Sequence, residues 1–232
     1  MKHLILALSL FCIIPESKGD GVAEEITVTG SRITRSDYFG VPAVSIKKNA
    51  DFLIQNIRLI NDSRSPELRR KEIIATIDNL LKAARKAEGI ELSYGEGFLI
   101  PVKLNDDSLQ LIEDRKRADT SYVDIVVKVA YDGSRSPKQQ IVKLRDFIAD
   151  AELDSRTEVE SIGDIGLSII GPEQFRYEIL KKIAVENQKI KEVIGGSCEM
   201  TISGLEGLIE WERTGIAELT LYISYETEVS CS

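Results

Sequence analysis

The tetrapeptide Ser-Arg-Ser-Pro occurs twice, at Ser63 to Pro66 and at Ser134 to Pro137, and each copy closes a strand-like run and opens a helix-like one. A chain that repeats strand, turn and helix must bury the apolar stripe of each helix against a sheet. In both copies the second serine can accept a hydrogen bond from a free backbone N–H, and proline fits the first helical position, where its missing donor costs nothing. After the first copy, Ile73, Ile77, Leu80, Leu81 and Ala84 recur at helical spacing through Lys86, with Gly89 as the stop. After the second, Ile141, Leu144, Phe147 and Ile148 point inward. Tyr122 to Tyr131 alternate, with Val123, Ile125, Val127 and Val129 on one face, the pattern of a strand with one buried side. Each helix is followed by a second strand-like run, Ile90 to Val102, broken at Gly95 and Gly97, and Val159 to Ile170, bent at Gly163 and Gly166.

The remaining segments frame this duplicated body. Glu25 to Gly30 alternate as a short strand, and Ser31 to Pro42 form a looser linker. Val44 to Ile60 read as one strand in which Phe52 and Ile54 oppose Leu53, Ile57 and Leu59; the alternation slips near Asn56, a place for a bulge. Lys103 to Thr120 form a charged connector. Gly171-Pro172 opens a third, longer helix with an apolar face of Phe175, Ile179, Leu180, Ile183, Ile190 and Ile194, closed by Gly195 and Gly196. The chain ends in an expected hairpin, Cys198 to Glu212 and Ala217 to Cys231. Setting Cys198 opposite Cys231 puts Glu212 opposite Ala217 around a turn of Arg213 to Ile216, and groups Cys198, Met200 and Ile202 with Leu219, Leu221, Ile223, Tyr225, Val229 and Cys231 on one face. The fold class is therefore α+β: two strand–helix–strand units, a third helix and a C-terminal hairpin, with helices packed on antiparallel sheet.

Residues 1–23 read as an export signal: Lys2 gives a positive start, Leu4 to Ile14 an apolar stretch too short to anchor in a bilayer, and Pro15 begins a polar tail. Gly21-Val22-Ala23 suits cleavage before Glu24, with cleavage after Gly19 as the rival. Phe11 stands where a lipoprotein signal needs a small residue, so Cys12 is not a lipidation site. The expected organisation is a signal over 1–23, a strand and linker over 24–42 and an α+β domain over 43–232, in the periplasm. No later stretch is long and apolar enough to span a membrane, so no stable insertion is expected.

Cleavage changes the chemistry on offer. It removes Cys12 and leaves Cys198 and Cys231 in an oxidising compartment, where they are expected to pair and to contribute about 2–4 kcal/mol through the unfolded state. It also removes His3, the single histidine, so triads and imidazole metal ligation are out of reach. Carboxylate catalysis survives as an alternative only if Asp106-Asp107, Glu113-Asp114 and Asp164 pair across the fold with raised pKa values. No spacing matches a calcium loop, a zinc site or a phosphate cradle, so no metal and no cofactor are expected. The net charge is −8, and the basic run Arg115-Lys116-Arg117 is flanked by Glu113, Asp114 and Asp119, which argues against nucleic acid. Trp211, near the hairpin tip, is either core filler or part of a contact surface.

The order of elements resembles the SIMPL-domain family of exported bacterial proteins. The likeness is carried by Val28-Thr29-Gly30, the helix ending at Ala87-Glu88-Gly89-Ile90, the long strand Tyr122 to Tyr131, Ile165-Gly166-Leu167-Ser168 before a proline-initiated, lysine-rich helix, and the closing strand Glu218 to Val229. Where the family's last helix is rich in alanine and lysine, this chain has isoleucine, glutamate and asparagine. The resemblance implies helices packed on antiparallel sheet, a periplasmic or secreted location and, in some members, homo-oligomers; it carries no catalytic residues. Separately, Glu24 to Ile33 is similar to the mature start of TonB-dependent outer-membrane receptors, which makes Glu25, Ile26, Thr27 and Val28 candidate contact residues. The expected function is non-catalytic, through protein contacts or self-association, in envelope or stress maintenance. The alternatives are an accessory role in TonB-linked uptake and a carboxylate hydrolase. The sequence names no small-molecule ligand.

Overall fold

Both Ser-Arg-Ser-Pro copies start helices by the capping their residues allow. Ser65 accepts from the Leu68 N–H, and Ser136 from Gln139 N–H while the Gln139 side chain returns a bond to the Ser136 backbone, a full capping box. The computed structural model describes residues 25–28, 42–95, 99–195 and 197–231. The expected signal and its cleavage site, most of the linker, Gly97 and Gly196 lie outside them, as do the side chains of Ile26 and Val28.

In chain order the described elements are β1 (Glu25–Val28), β2 (Ile46–Asn49), β3 (Phe52–Asn61), α1 (Pro66–Lys86), β4 (Ile90–Tyr94), β5 (Ile100–Pro101), β6 (Ile112–Glu113), β7 (Ser121–Ala130), α2 (Pro137–Ala149), β8 (Thr157–Ile170), α3 (Arg176–Ile194) after a 3-10 turn at Pro172–Phe175, β9 (Cys198–Ser203), β10 (Glu210–Arg213), β11 (Glu218–Tyr222) and β12 (Glu226–Cys231). The class is α+β, three helices on antiparallel sheets. The large sheet runs β1-β8-β3-β7-β4-β5, with β6 also on β7. The returning strand of each unit thus lies beside the leading strand of the other, the order of two interleaved split βαβ units.

Strict alternation decides which face is covered. Leu53, Ile57 and Leu59 of β3 and Val123, Ile125, Val127 and Val129 of β7 share one core with Ile73, Ile77 and Leu80 of α1 and Leu144 and Ile148 of α2. The same core continues into Ile179 and Ile183 of α3 and Leu219, Leu221 and Ile223 of the terminal segment. The opposite face carries a small cluster, Phe52, Ile54, Val126 and Leu99, and is otherwise more polar.

Four expectations change. The run Val44 to Ile60 is two strands in two sheets: β2 pairs with β11, and β3 with β7 and β8. The switch lies at Ala50 and Asp51, whose N–H groups donate to Ala217 O at 2.9 Å and Ser168 O at 2.8 Å. Second, the irregularity expected near Asn56 is present on one side of β3 only, since its register with β7 is unbroken and Gln55 is a buried polar residue on the regular pattern. The irregularity belongs to the pairing with β8, where Ile54 opposes Gly166 but Asn56 opposes Ile162. Gly163 takes φ 65° there, and Gln55 Nε2 donates to Ile162 O at 2.9 Å, satisfying a carbonyl that the interrupted ladder leaves over. Third, α3 has 19 residues against 21 in α1, and its burial covers Ile179, Ile183 and Asn187, whereas Val193 is 87 % exposed. Fourth, the hairpin keeps the expected register only in its outer part, Cys198 opposite Cys231 through Ser203 opposite Glu226. Beyond Gly204 the chain re-pairs with Glu212 opposite Thr220, not Ala217, and Val229 and Cys231 are exposed instead of sharing the buried face of Leu219 and Leu221.

Candidate functional site

The more polar face of the large sheet is where chemistry could reside. Next to the Phe52 cluster, Lys128 is buried with its Nζ 2.7 Å from Glu25 Oε1, 3.7 Å from Glu91 Oε2 and 4.0 Å from the Phe52 ring centre. Ser168 Oγ also donates to Glu25. Glu25 is 6 % exposed, so its carboxylate is committed to the fold, and the backbone of Glu25 to Val28 pairs with Leu167 to Ile170. The candidate contact segment is an edge strand pinned by a buried ion pair. Removing one member of such a pair leaves a bare charge out of water, so both ends hold β1 in place.

Further along the same face, Arg58 donates two 2.7 Å hydrogen bonds to Asp124 and stacks over Tyr122 with its guanidinium 3.9 Å from the ring centre. Asp124 raises the Arg58 pKa further. Beyond it opens a groove of about 550 Å³ floored by Ile60, Ile112 and Tyr122 and rimmed by Arg115, Lys116 and Arg117. A second depression, about 450 Å³, adjoins it between Asn56, Ile162, Tyr94 and Ser108.

Of the carboxylates proposed for catalysis, Asp106 and Glu113 are held as charged acceptors by their neighbours. Glu113 is bound by Ser121 Oγ at 2.9 Å and by Arg69 Nη2 at 3.1 Å, and these partners hold its carboxyl below the usual range. Burial pushes Asp106 up, but the Ser108 hydroxyl and the Lys103 and Ser108 N–H groups outweigh it and hold it down. Asp114 accepts from the Lys116 N–H at 2.8 Å. The expectation of raised values is overturned for Asp106 and Glu113: each is a charged acceptor built into a turn or a strand edge, with no proton to give near neutral pH.

A network that sequence reasoning missed lies beside the Glu113–Arg69 pair, at the Asn61 end of β3. Glu72 of α1 accepts from Ser63 Oγ and Asn61 Nδ2, each at 2.7 Å, and Asn61 Nδ2 also donates to Thr157 Oγ1 at 3.0 Å. The hydrogen bonds of Ser63 and Asn61 keep the Glu72 carboxyl below the usual range. Its signal in the sequence was a glutamate on the same helix face as Ile73 and Ile77, where an apolar residue belongs.

Cys198 and Cys231 are bonded and tie β9 to β12. Trp211 lies on β10 opposite Leu221 and is 38 % exposed. Among the described residues no group of three or more histidine, cysteine or acidic residues is placed to hold a metal ion, and no helix is long and apolar enough to cross a membrane. Comparison of the chain with family models, with curated proteins and with solved structures found no match.

Proposed function

We propose that this chain is an exported periplasmic protein of SIMPL-like build, without catalytic activity, that works through contacts with protein molecules, further copies of itself included, in envelope or stress maintenance. The observation that carries this reading is the apolar surface of the C-terminal third, where Tyr177, Val193 and Leu208 are 83 %, 87 % and 78 % exposed and Val185, Ile194, Trp211 and Ile216 are also uncovered. Exposed large apolar side chains in such number along one third of the chain offer contact surface. The Cys198–Cys231 bond is compatible with an oxidising compartment. Sedimentation velocity of residues 24–232 across a wide concentration range tests the self-assembly: species larger than the monomer are expected, and a clean monomer at the highest concentration overturns it.

A further inference from the structure

The groove on the open sheet face carries a small excess of positive charge, with its cations at the rim, and the ribbon of β9 and β12 carries a row of glutamates. In the groove, Arg58 is paired with Asp124 and Glu113 with Arg69, which leaves Asp114 and Glu160 as the acids beside the three rim cations. Arg115, Lys116 and Arg117 at the rim are exposed, and among the described residues none of them has an ion-pair partner. Beneath them Ile112 is 50 % exposed on β6, a two-residue strand at the margin of the sheet.

The ribbon is the complement. Directly opposed residues of an antiparallel pair share a face, so Glu226 with Ser203, Glu228 with Thr201 and Ser230 with Glu199 all point the same way. The alternate residue Thr227 donates to Asn187 of α3 at 3.0 Å, which turns its own face toward the helix and the glutamate face outward. Every residue of β12 is exposed, and among the described residues Glu199, Glu226 and Glu228 have no ion-pair partner.

We infer that the groove takes the acidic face of the β9–β12 ribbon of a second copy of this chain, three glutamates meeting the three rim cations while Thr201 and the glutamate stems cover Ile112. This rests on the self-assembly proposed above and names its contact. The two surfaces are different patches, so the contact is head-to-tail and propagates into a ring or a filament instead of closing as a two-fold dimer. It also gives the bond between Cys198 and Cys231 a role beyond stability, since it fixes the end of the ribbon that must present the glutamates in register.

Charge exchange tests this. One variant carries Arg115→Glu, Lys116→Glu and Arg117→Glu, and the other Glu199→Lys, Glu226→Lys and Glu228→Lys. All six side chains are exposed, so a melting temperature near that of the parent is expected for both. Each variant alone should sediment as a monomer, because its groove and ribbon then bear like charge, and a one-to-one mixture should assemble again. For the unaltered protein, raising salt from about 0.1 to 1 M, where the screening length falls from about 10 to 3 Å, should weaken assembly roughly tenfold or more. If the parent assembles and the single variants assemble as well, or salt leaves assembly unchanged, this contact is wrong while self-assembly stands. If the parent is a monomer, both proposals fall together.

Discussion

The two strand-to-helix corners, Asn61-Asp62-Ser63-Arg64-Ser65-Pro66 and Asp132-Gly133-Ser134-Arg135-Ser136-Pro137, are spelled almost alike and turn alike. In each, the first side chain accepts from the N–H two residues on, Asn61 Oδ1 from Ser63 at 2.9 Å and Asp132 Oδ1 from Ser134 at 2.8 Å, and the second serine caps the helix. Their surroundings differ. Asn61 and Ser63 are 0 % and 2 % exposed, joined to Glu72 and Thr157, whereas Asp132, Ser134 and Ser136 face solvent. At the place of Glu72, α2 carries Lys143, which reaches out to the Glu88 carbonyl. The turn is thus a local code that either environment accepts. How much of the fold depends on it is set by neighbours contributed from elsewhere in the chain.

Exchanging the first letters is the strongest way to break that comparison. Asn61→Asp gives the first corner the spelling of the second and puts a new carboxylate where Nδ2 now donates to Glu72 at 2.7 Å. Two buried like charges with a lost donor should cost on the order of 3 kcal/mol. The reciprocal Asp132→Asn keeps the local acceptor and should leave the urea midpoint unchanged within error. The new carboxyl has its folded-state pKa raised above the unfolded value by the Glu72 charge. Its penalty is therefore complete at neutral pH and shrinks as the pH falls through that raised value. Equal midpoints for the two exchanges would show that burial of the first corner carries no energetic weight.

Acid sharpens the same contrast. The Glu72 pKa is depressed in the fold by the Ser63 and Asn61 donors, so its contribution is present above the usual carboxylate range and is lost as the pH falls through the depressed value. Glu72→Gln should cost about 1–2 kcal/mol at neutral pH, when the charged acceptor becomes a neutral one, and less at low pH, so the stability curves of parent and variant converge on acidification. Parallel curves would assign the acid sensitivity to other groups. The second corner has no counterpart, because Lys143 stays charged across this range.

What could be read in the sequence follows the same division between local and distant causes. Both caps, the strand that becomes β7 and the outer register of the hairpin were legible because each is written in adjacent residues or in a period. The switch of sheets at Ala50 and Asp51 was not, since its partners, Ala217 O and Ser168 O, come from far along the chain. The alternation slips near Asn56 in the sequence because Gln55, a polar residue at an inward position, looks like a broken pattern until its acceptor, Ile162 O, is in view. Arg115-Lys116-Arg117 read as a solvated run, and the structure keeps it exposed but sets it above Ile112 and Tyr122, a juxtaposition made by the β6–β7 pairing. The Glu25–Lys128 pair was equally hidden, because it joins the first described strand to the centre of the sheet. Distant pairing creates the Lys128, Arg58 and Glu72 clusters, whereas Asp106 and Asp114 are held by neighbours within three residues, and a single sequence gives distant pairing little voice.

The smallest effects separate the caps from the turns. Ser65→Ala and Ser136→Ala each remove the acceptor for one orphan N–H of a helix start, at 3.2 and 3.3 Å, and each should cost about 1 kcal/mol, measured by urea unfolding. Ser136→Ala also removes the exposed hydroxyl's donation to Gln139 Oε1 at 3.0 Å, but the Ser136 N–H still donates to that oxygen at 2.9 Å, and that half of the capping box survives the change to alanine. The two losses should therefore agree to within about 0.5 kcal/mol although one corner is buried and the other is not. Near-equal cap losses beside unequal Asn61 and Asp132 effects would place the difference between the corners in the side-chain network under the turn. A Ser65 loss two or three times the Ser136 loss would instead mean that burial reaches the helix start itself, and the first corner would have to be treated as one cooperative unit from Asn61 through Glu72.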